Sequence, residues 1–273
     1  MNAISLYAKP SDDFDAKLAE SVALLRRAAG EFAPITQASS LGAEDMVVTD
    51  LLHRFHIQSG IFVLETGKLH DETLQLLARL QSHYGREVEV YKPDAAAAGR
   101  FVAENGEEAM YKSLELRKAC CHIRKMEPLD RALAGKRGWI TGLRREQSGA
   151  RAEVELIEQQ PERAKINPLA RWTWGDVWHY ISVHAVPYNP LHDRFYPSIG
   201  CAPCTRAVTL GEDFRSGRWW WEQESAKECG LHVAADGTHE AEEPAAFEPL
   251  SSAASSPVSP LPNRAIPIRA IPN

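Results

Sequence analysis

Apolar side chains at Phe14, Leu18, Val22 and Leu25 repeat at the spacing of one helix face, which predicts an amphipathic helix near the start of the chain. A short strand is predicted at 34–38, ending in the polar turn Ser39-Ser40-Leu41-Gly42-Ala43-Glu44-Asp45. Met46, Val47, Leu51 and Leu52 resume the helical period directly after that turn. A second strand at 61–64 ends in Glu65-Thr66-Gly67, and a helix over 71–84 follows with Gly85 as its stop. The next strand, 87–91, alternates Val88 and Val90 with charged neighbours. A helical stretch over 107–133, reset near Pro128, leads to a strand at 138–141 that runs into Gly142-Leu143-Arg144-Arg145. Thr173 caps a further helix reaching to Tyr180, and Pro187, Pro190 and Pro197 mark irregular chain after it.

This alternation of strands and helices predicts an α/β fold, a mostly parallel twisted sheet with helices on both faces. Ligands of such sheets bind beyond the carboxyl ends of the strands. The turns at 39–45, 65–67 and 142–151 are therefore expected to converge on one site. From about residue 233 the pattern stops: Ala, Pro, Ser and Glu dominate, and Phe247, Leu250 and Leu261 follow no period. Such a stretch buries too little surface to offset the entropy of ordering it. The expected organisation is one domain over 1–232, with a catalytic C-terminal segment at 211–232, and a flexible tail over 233–273.

Composition narrows the function. No apolar run approaches the roughly 20 residues that cross a bilayer, and the N-terminal residues lack a cationic stretch followed by an apolar core. A cytoplasmic protein with no membrane partner is expected. The net charge of −6 argues against nucleic acid as a partner. Residues 111–151 run the other way, with eleven Lys and Arg against four acids, a local surplus that a solvated helix face or a pocket for a multiply charged anion would explain. Arg144, Arg145 and Arg151 are candidates to clamp such an anion, because guanidinium forks match phosphate and sulfate oxygens. The 39–45 turn opens a helix after a strand and could cradle a phosphate through its backbone N–H groups, with Ser39, Ser40 and Gly42 as the contacts. It lacks the second glycine, lysine and spacing of a Walker loop.

Five cysteines make an odd count without an export signal, which favours metal or redox chemistry over a disulfide framework. Four of them form two pairs, Cys120-Cys121 and Cys201-Ala-Pro-Cys204. Thiolates suit zinc and iron–sulfur clusters alike. Adjacent side chains on a helix point about 100° apart, so both members of the first pair reach one centre only if it is broad or the helix end is distorted. Lys125, four residues after Cys121, shares its helix face and could offset the charge of such a centre or touch an anion. The fifth, Cys229, lies in Lys-Glu-Cys-Gly-Leu-His beside Lys227 and His232, cations that favour the nucleophilic thiolate. Arg215 and Arg218, three apart, are expected on one helix face ahead of Trp219-Trp220-Trp221.

Taken together, the Ser-Ser-Leu-Gly-Ala-Glu-Asp turn, Leu64-Glu-Thr-Gly67, Cys120-Cys121 with Lys125, Thr-Gly-Leu-Arg-Arg-Glu-Gln-Ser at 141–148, Cys201-x-x-Cys204 and Glu-Cys-Gly-Leu-His at 228–232 resemble the assimilatory adenylylsulfate (APS) reductases. The resemblance spans about residues 35–232. It implies an adenine-nucleotide alpha-hydrolase-like fold with a modified pyrophosphate loop at 39–45. It also implies one [4Fe–4S] cluster per subunit on Cys120, Cys121, Cys201 and Cys204. Cys229 is similarly implied as the nucleophile that takes the sulfonate of APS, with thioredoxin or a similar dithiol releasing sulfite. Lys125, Arg151, Arg215, Arg218 and His232 fall where the family contacts substrate, and Leu64, Thr66 and Gly67 where it holds adenosine. Glu65 stands where Asp is common, and Leu41 where an aromatic residue or serine often sits. Relatives that need the 3′-phosphorylated nucleotide (PAPS) typically lack the two cysteine pairs, so their presence here points to APS. A PAPS or dual-specificity reductase, an ATP-dependent adenylating enzyme of the same fold and a zinc-binding module are the competing readings. The oligomeric state is open, a homo-oligomer included.

Overall fold

The computed structural model describes residues 2–209 and 211–222, all within Met1–Ala234, the first of two units into which the chain divides. Cys229, His232 and the 233–273 tail lie outside the described residues. Eight α-helices and six strands are present among those described: α1 (Ala3–Tyr7), α2 (Phe14–Glu31), β1 (Ile35–Ser39), α3 (Ala43–Arg54), β2 (Gly60–Leu64), α4 (Asp71–Tyr84), β3 (Glu89–Tyr91), α5 (Ala95–Asn105), α6 (Leu114–Cys121), α7 (Glu127–Leu133), β4 (Gly138–Ile140), β5 (Ile157–Gln159), β6 (Ala164–Ile166) and α8 (Trp174–His184). The strands form one sheet in the order β3-β2-β1-β4-β6-β5. Every pairing is parallel except that of β5 with β6. The α/β reading of the sequence is therefore correct.

The order of strands fixes where a ligand can sit. From β1 the chain adds β2 and β3 on one side, then returns to place β4 on the other. β1 and β4 thus diverge from a topological switch point, and the crevice beyond their carboxyl ends is the binding position of open α/β sheets. Helix α3 leaves that crevice and is buried from Ala43 to Leu52, so its direction is set by the core. At its far end the buried Asp50 carboxylate accepts from Tyr84 Oη at 3.1 Å, Tyr180 Oη at 2.7 Å and Arg54 Nε at 3.0 Å. Helix α8 starts as predicted: the Thr173 hydroxyl accepts from the Asp176 N–H and the Asp176 carboxylate from the Thr173 N–H. Gly85 ends α4 in the left-handed conformation, at φ +57°.

Several elements depart from the sequence expectation. The stretch 107–133 is a 3₁₀ turn, then α6, then a π-helical turn at His122–Met126, then α7. The break falls just after the cysteine pair, and Pro128 sits harmlessly in the first turn of α7. Arg215 and Arg218 do not share a helix: residues 214–217 form a turn and Arg218 bridges Thr205. The β5–β6 hairpin went unseen because its centre carries Lys165, which the fold buries against Glu158 at 3.0 Å.

Candidate active site

A cavity of about 190 Å³ occupies the crevice beyond β1 and β4. Ala38, Phe62, Leu64 and Trp139 give its lining an apolar part on the sheet. Ser39, Ser40, Gly42, Lys125, Arg151, Arg215 and Arg218 give it a polar part. An elongated ligand with a planar apolar part and an anionic end matches that division. Of the residues singled out as substrate contacts, Ser39, Ser40, Gly42, Leu64, Thr66, Lys125, Arg151, Arg215 and Arg218 line this space together. Gly67 stands just outside it, at φ +71°, where a Cβ would meet the Arg124 guanidinium at 3.1 Å.

The turn at 39–45 is organised from within. Asp45 Oδ2 accepts from the Ser40 N–H at 2.7 Å and from Ser40 Oγ at 2.6 Å. The Leu41 N–H donates to Ser39 Oγ and the Gly42 N–H to Ser40 Oγ. Of the N–H groups expected to cradle a phosphate, those of Ser40 and Gly42 are thus engaged inside the turn. Leu41 holds φ +62° with its side chain buried, an uncommon conformation for a branched residue that the surrounding core enforces. Gly142 is fixed by the same packing, since a Cβ there would stand 2.5 Å from Asp45 Oδ1 and 3.0 Å from the Asp45 backbone nitrogen.

Burial pushes the Asp45 carboxyl up to about 6; the bonds from Ser40 oppose this and Glu44 adds to it. The folded protein therefore holds this proton more tightly than the unfolded chain, where the ordinary value is 3.8. Its stabilising effect is complete below about pH 4 and is lost as pH rises through about 6, about 3 kcal/mol in all. Asp45→Asn should flatten the pH dependence of stability across that window. Urea midpoints measured at half-unit steps would check it, and an unchanged slope would remove Asp45 as its source.

Arg144, proposed from the sequence as an anion clamp, is not brought to the cavity. It is 1% exposed, its Nε donates to Glu44 Oε1 at 3.0 Å, and Trp174 and Phe214 pack on its guanidinium. Arg145 turns away and donates to the Val154 carbonyl. Arg151 does face the cavity. Its Nη1 donates to Gln147 Oε1 at 2.6 Å, and Gln147 Nε2 in turn donates to Glu44 Oε1 at 3.0 Å. Glu44 thus anchors both the buried arginine and the relay that aims the cavity-facing one.

The four cysteines meet at a second, smaller cavity next door, lined also by Lys68, Met110, Arg117, Arg124, Lys125 and Pro203. Cys120 and Cys121 end α6, and a π-helical turn distorts the helix directly after them, one of the two arrangements their adjacency allows. Cys201 and Cys204 come from a turn held against the 66–69 loop: the Ala202 N–H donates to the Lys68 carbonyl at 2.7 Å, and Thr66 Oγ1 lies 3.3 Å from Cys201 Sγ. Cys120, Cys201 and Cys204 are buried and Cys121 is half-buried, all as free thiols. Burial pushes the Cys204 thiol up to about 12, with Cys201 adding and Lys125 opposing. It raises Cys120 too, against Arg124. Among the described residues no group of three or more His, Cys, Asp or Glu side chains is arranged to hold a metal ion. Lys125 lines both cavities, so the cation read from its spacing lies between thiols and anion site.

The Trp-rich segment closes the site. Trp219 is buried beneath Arg117, Arg215 and Arg218, whose guanidiniums lie 4.6–6.0 Å from its rings. Trp220 and Trp221 pack on Tyr111. Arg117 Nε and Nη2 donate to the two Glu222 carboxylate oxygens at 2.9 and 2.8 Å. Residues that sequence reasoning missed include Phe62 and Trp139, hidden among ordinary strand apolars, and His192, in a Pro-marked segment with no period to place it.

Comparison with known proteins fits this geometry. The family profile described as "Phosphoadenosine phosphosulfate reductase domain" matches residues 34–207. The adenosine 5′-phosphosulfate reductase of Burkholderia cepacia is 53% identical over 80% of this chain and 88% of its own length. That of Allochromatium vinosum is 50% identical over 81% and 88%. Among solved structures, the phosphoadenylyl-sulfate (PAPS) reductase of Candida auris, as a phosphate complex, superposes with TM-score 0.60 at 25% identity, covering 73% of this chain and 98% of that one. The FMN adenylyltransferase of Candida glabrata, at TM-score 0.50 and 12% identity over 85% of this chain and 84% of its own, shares the fold alone. Among the described residues no helix is long and apolar enough to cross a membrane. The chain belongs to the phosphoadenosine phosphosulfate reductase family, in which its adenosine 5′-phosphosulfate reductase relatives also stand.

Proposed function

We propose that this chain reduces APS to sulfite and AMP in assimilatory sulfate reduction, using Cys229 as the nucleophile. The observation that carries the reading is the shared wall: one lysine, Lys125, lines both a nucleotide-shaped cavity and a cavity ringed by four cysteines. The reductase names of relatives at 50–53% identity support the same substrate.

The chemistry follows from the groups present. The adenine and ribose lie along the apolar part of the lining, and Arg151, Arg215, Arg218 and Lys125 receive the phosphosulfate. The Cys229 thiolate attacks the sulfur in line. A sulfur–sulfur bond forms as the sulfur–oxygen bond to phosphate breaks, and AMP leaves carrying the electron pair. The cations stabilise charge gathering on that phosphate. A dithiol protein such as thioredoxin then attacks the S-sulfocysteine at Cys229 and expels sulfite. Its second thiol resolves the mixed disulfide, so the dithiol is oxidised by two electrons and Cys229 returns as a thiol.

Four thiols spread around one cavity fit a multi-iron [4Fe–4S] cluster better than a single ion. Lys68, Arg117, Arg124 and Lys125 line the cavity and would offset the cluster's negative charge. Cys120, Cys121, Cys201 and Cys204 would hold it, and when bound it would supply fixed charge beside the anion site. The domain over 1–232 and the tail over 233–273 complete the reading, with the cytoplasm as the compartment.

Intact-mass spectrometry tests the function directly. Protein exposed to APS without reductant should gain the mass of one SO₃, located by digestion on the 228–232 segment. No gain, or a gain elsewhere, would overturn the assignment. Steady-state comparison with PAPS separates the phosphorylated substrate.

A further inference from the structure

His192 belongs to none of the roles assigned above. It sits in the 3₁₀ turn Pro190–Arg194 and is 4% exposed, yet its ring lines the nucleotide cavity. Both ring nitrogens are buried, and the one backbone group that acts on the ring, that of Tyr196, does not meet it in hydrogen-bonding geometry. The ring packs against Trp174 and Trp178, with centroids 6.0 and 5.3 Å away. The indole N–H is donor only and an indole face accepts only weakly, so neither tryptophan fully satisfies an imidazole N–H. A buried donor left without a partner is costly, and native structures supply one from protein, water or ligand.

We propose that His192 is a substrate-contacting residue that completes its hydrogen bonding on an anionic oxygen of the bound sulfonucleotide. The ring shares the cavity with Lys125, Arg151, Arg215 and Arg218, and Glu44, in the first turn of α3, acts on it electrostatically. Glu44 is itself held by Arg144 and Gln147, so its charge is compensated. Burial holds the imidazole down at about 4, against Glu44, the Tyr196 backbone and Asp193. The ring is therefore neutral at physiological pH and carries one N–H. A neutral donor adds a hydrogen bond to the arginine and lysine charges without adding a further buried cation.

The inference rests on the APS reading, and the test separates the two. His192→Leu should raise KM for APS and Ki for AMP by about 10- to 100-fold, the value of a hydrogen bond to a charged group. Its kcat should stay within about threefold, and the thermal midpoint of the ligand-free protein should not fall, since an unpaired polar group has been removed. His192→Gln, which keeps an N–H, should recover most of the affinity. A loss confined to APS would place the contact on the sulfate, and a loss shared with AMP on the phosphate; either supports the proposal. Unchanged KM and Ki would mean that water alone satisfies the ring, and equal damage to kcat and thermal midpoint in both variants would mean a packing role; either overturns it. Should His192→Leu fail to fold, the ring ¹⁵N resonance of His192 in ¹⁵N-histidine-labelled Cys229→Ser protein decides: it shifts on APS binding if the contact exists and stays put if not. Wild-type protein that neither binds nor turns over APS would instead sink the functional reading itself.

Discussion

Cys229→Ser protein should keep the colour and iron that the proposed cluster confers, form no SO₃ adduct, and lose turnover by at least about 10⁴-fold. The size of the effect comes from ionisation. A thiol titrates near neutrality and its thiolate is a strong nucleophile, whereas a serine hydroxyl stays protonated unless a base is built beside it. The position of Cys229 makes the substitution clean. It lies seven residues after Glu222, whose carboxylate is clamped by the 1%-exposed Arg117. Seven residues span at most about 25 Å, and Trp219 and Arg218, shortly before Glu222, line the nucleotide cavity. The substitution leaves Cys120, Cys121, Cys201 and Cys204 in place. Adduct formation and absorbance measured on the same sample would separate the two roles. An adduct that persisted in the serine variant would assign the nucleophile elsewhere.

The distance between sequence and structure is instructive at particular residues. Parallel strands announce themselves when both buried faces are apolar: Ile61 to Val63 reads accordingly, whereas β1, also buried, carries Thr36, Gln37 and Ser39 among its five residues. The polar turns at their ends were equally legible, and the cavity gathers them as the switch-point rule requires. The distinction between Arg144 and Arg151 was not. Seven residues apart in one loop, they carry the same fork and the same prior. Only the tertiary placement of Glu44, a hundred positions from Arg144, spends the first on structure and leaves the second aimed at the cavity. The internal bonding of the 39–45 turn was hidden for a similar reason, since nothing local says that Asp45 will return to Ser40. Helix α5 escaped because its Ala-rich sequence buries only Phe101 and shows no apolar period. The Cys120-Cys121 pair gave the opposite result. Helix geometry asked there for a broad centre or a distorted helix end, and a π-helical turn follows directly after the pair.

Removing one buried thiol should be as damaging as removing the nucleophile, by a different route. Cys204→Ala protein, purified anaerobically, should be colourless, hold little iron or acid-labile sulfide, and lose APS turnover by at least about 100-fold. Loss of one thiolate from a four-thiolate set leaves a corner without its ligand, and Cys204 lies within the packed group that includes Cys120, Cys201 and Trp219. The surroundings make the loss general. The Trp219 N–H donates to the Cys204 carbonyl at 3.3 Å, and Cys201 touches Thr66 of the nucleotide cavity. Metal binding contributes to folding when its ligands come from separate segments, and here they come from α6 and from a turn some eighty residues later. The thermal midpoint should therefore fall together with the iron, and the root of the Cys229 segment should loosen with it. Limited proteolysis after Trp219 would report that loosening as faster cleavage in the alanine variant than in Cys229→Ser. A variant that kept both its iron and its activity would show that Cys204 holds no cluster. Wild-type protein that is fully active without iron or sulfide would remove the cluster from the account, leaving the four thiols as packing around Lys125.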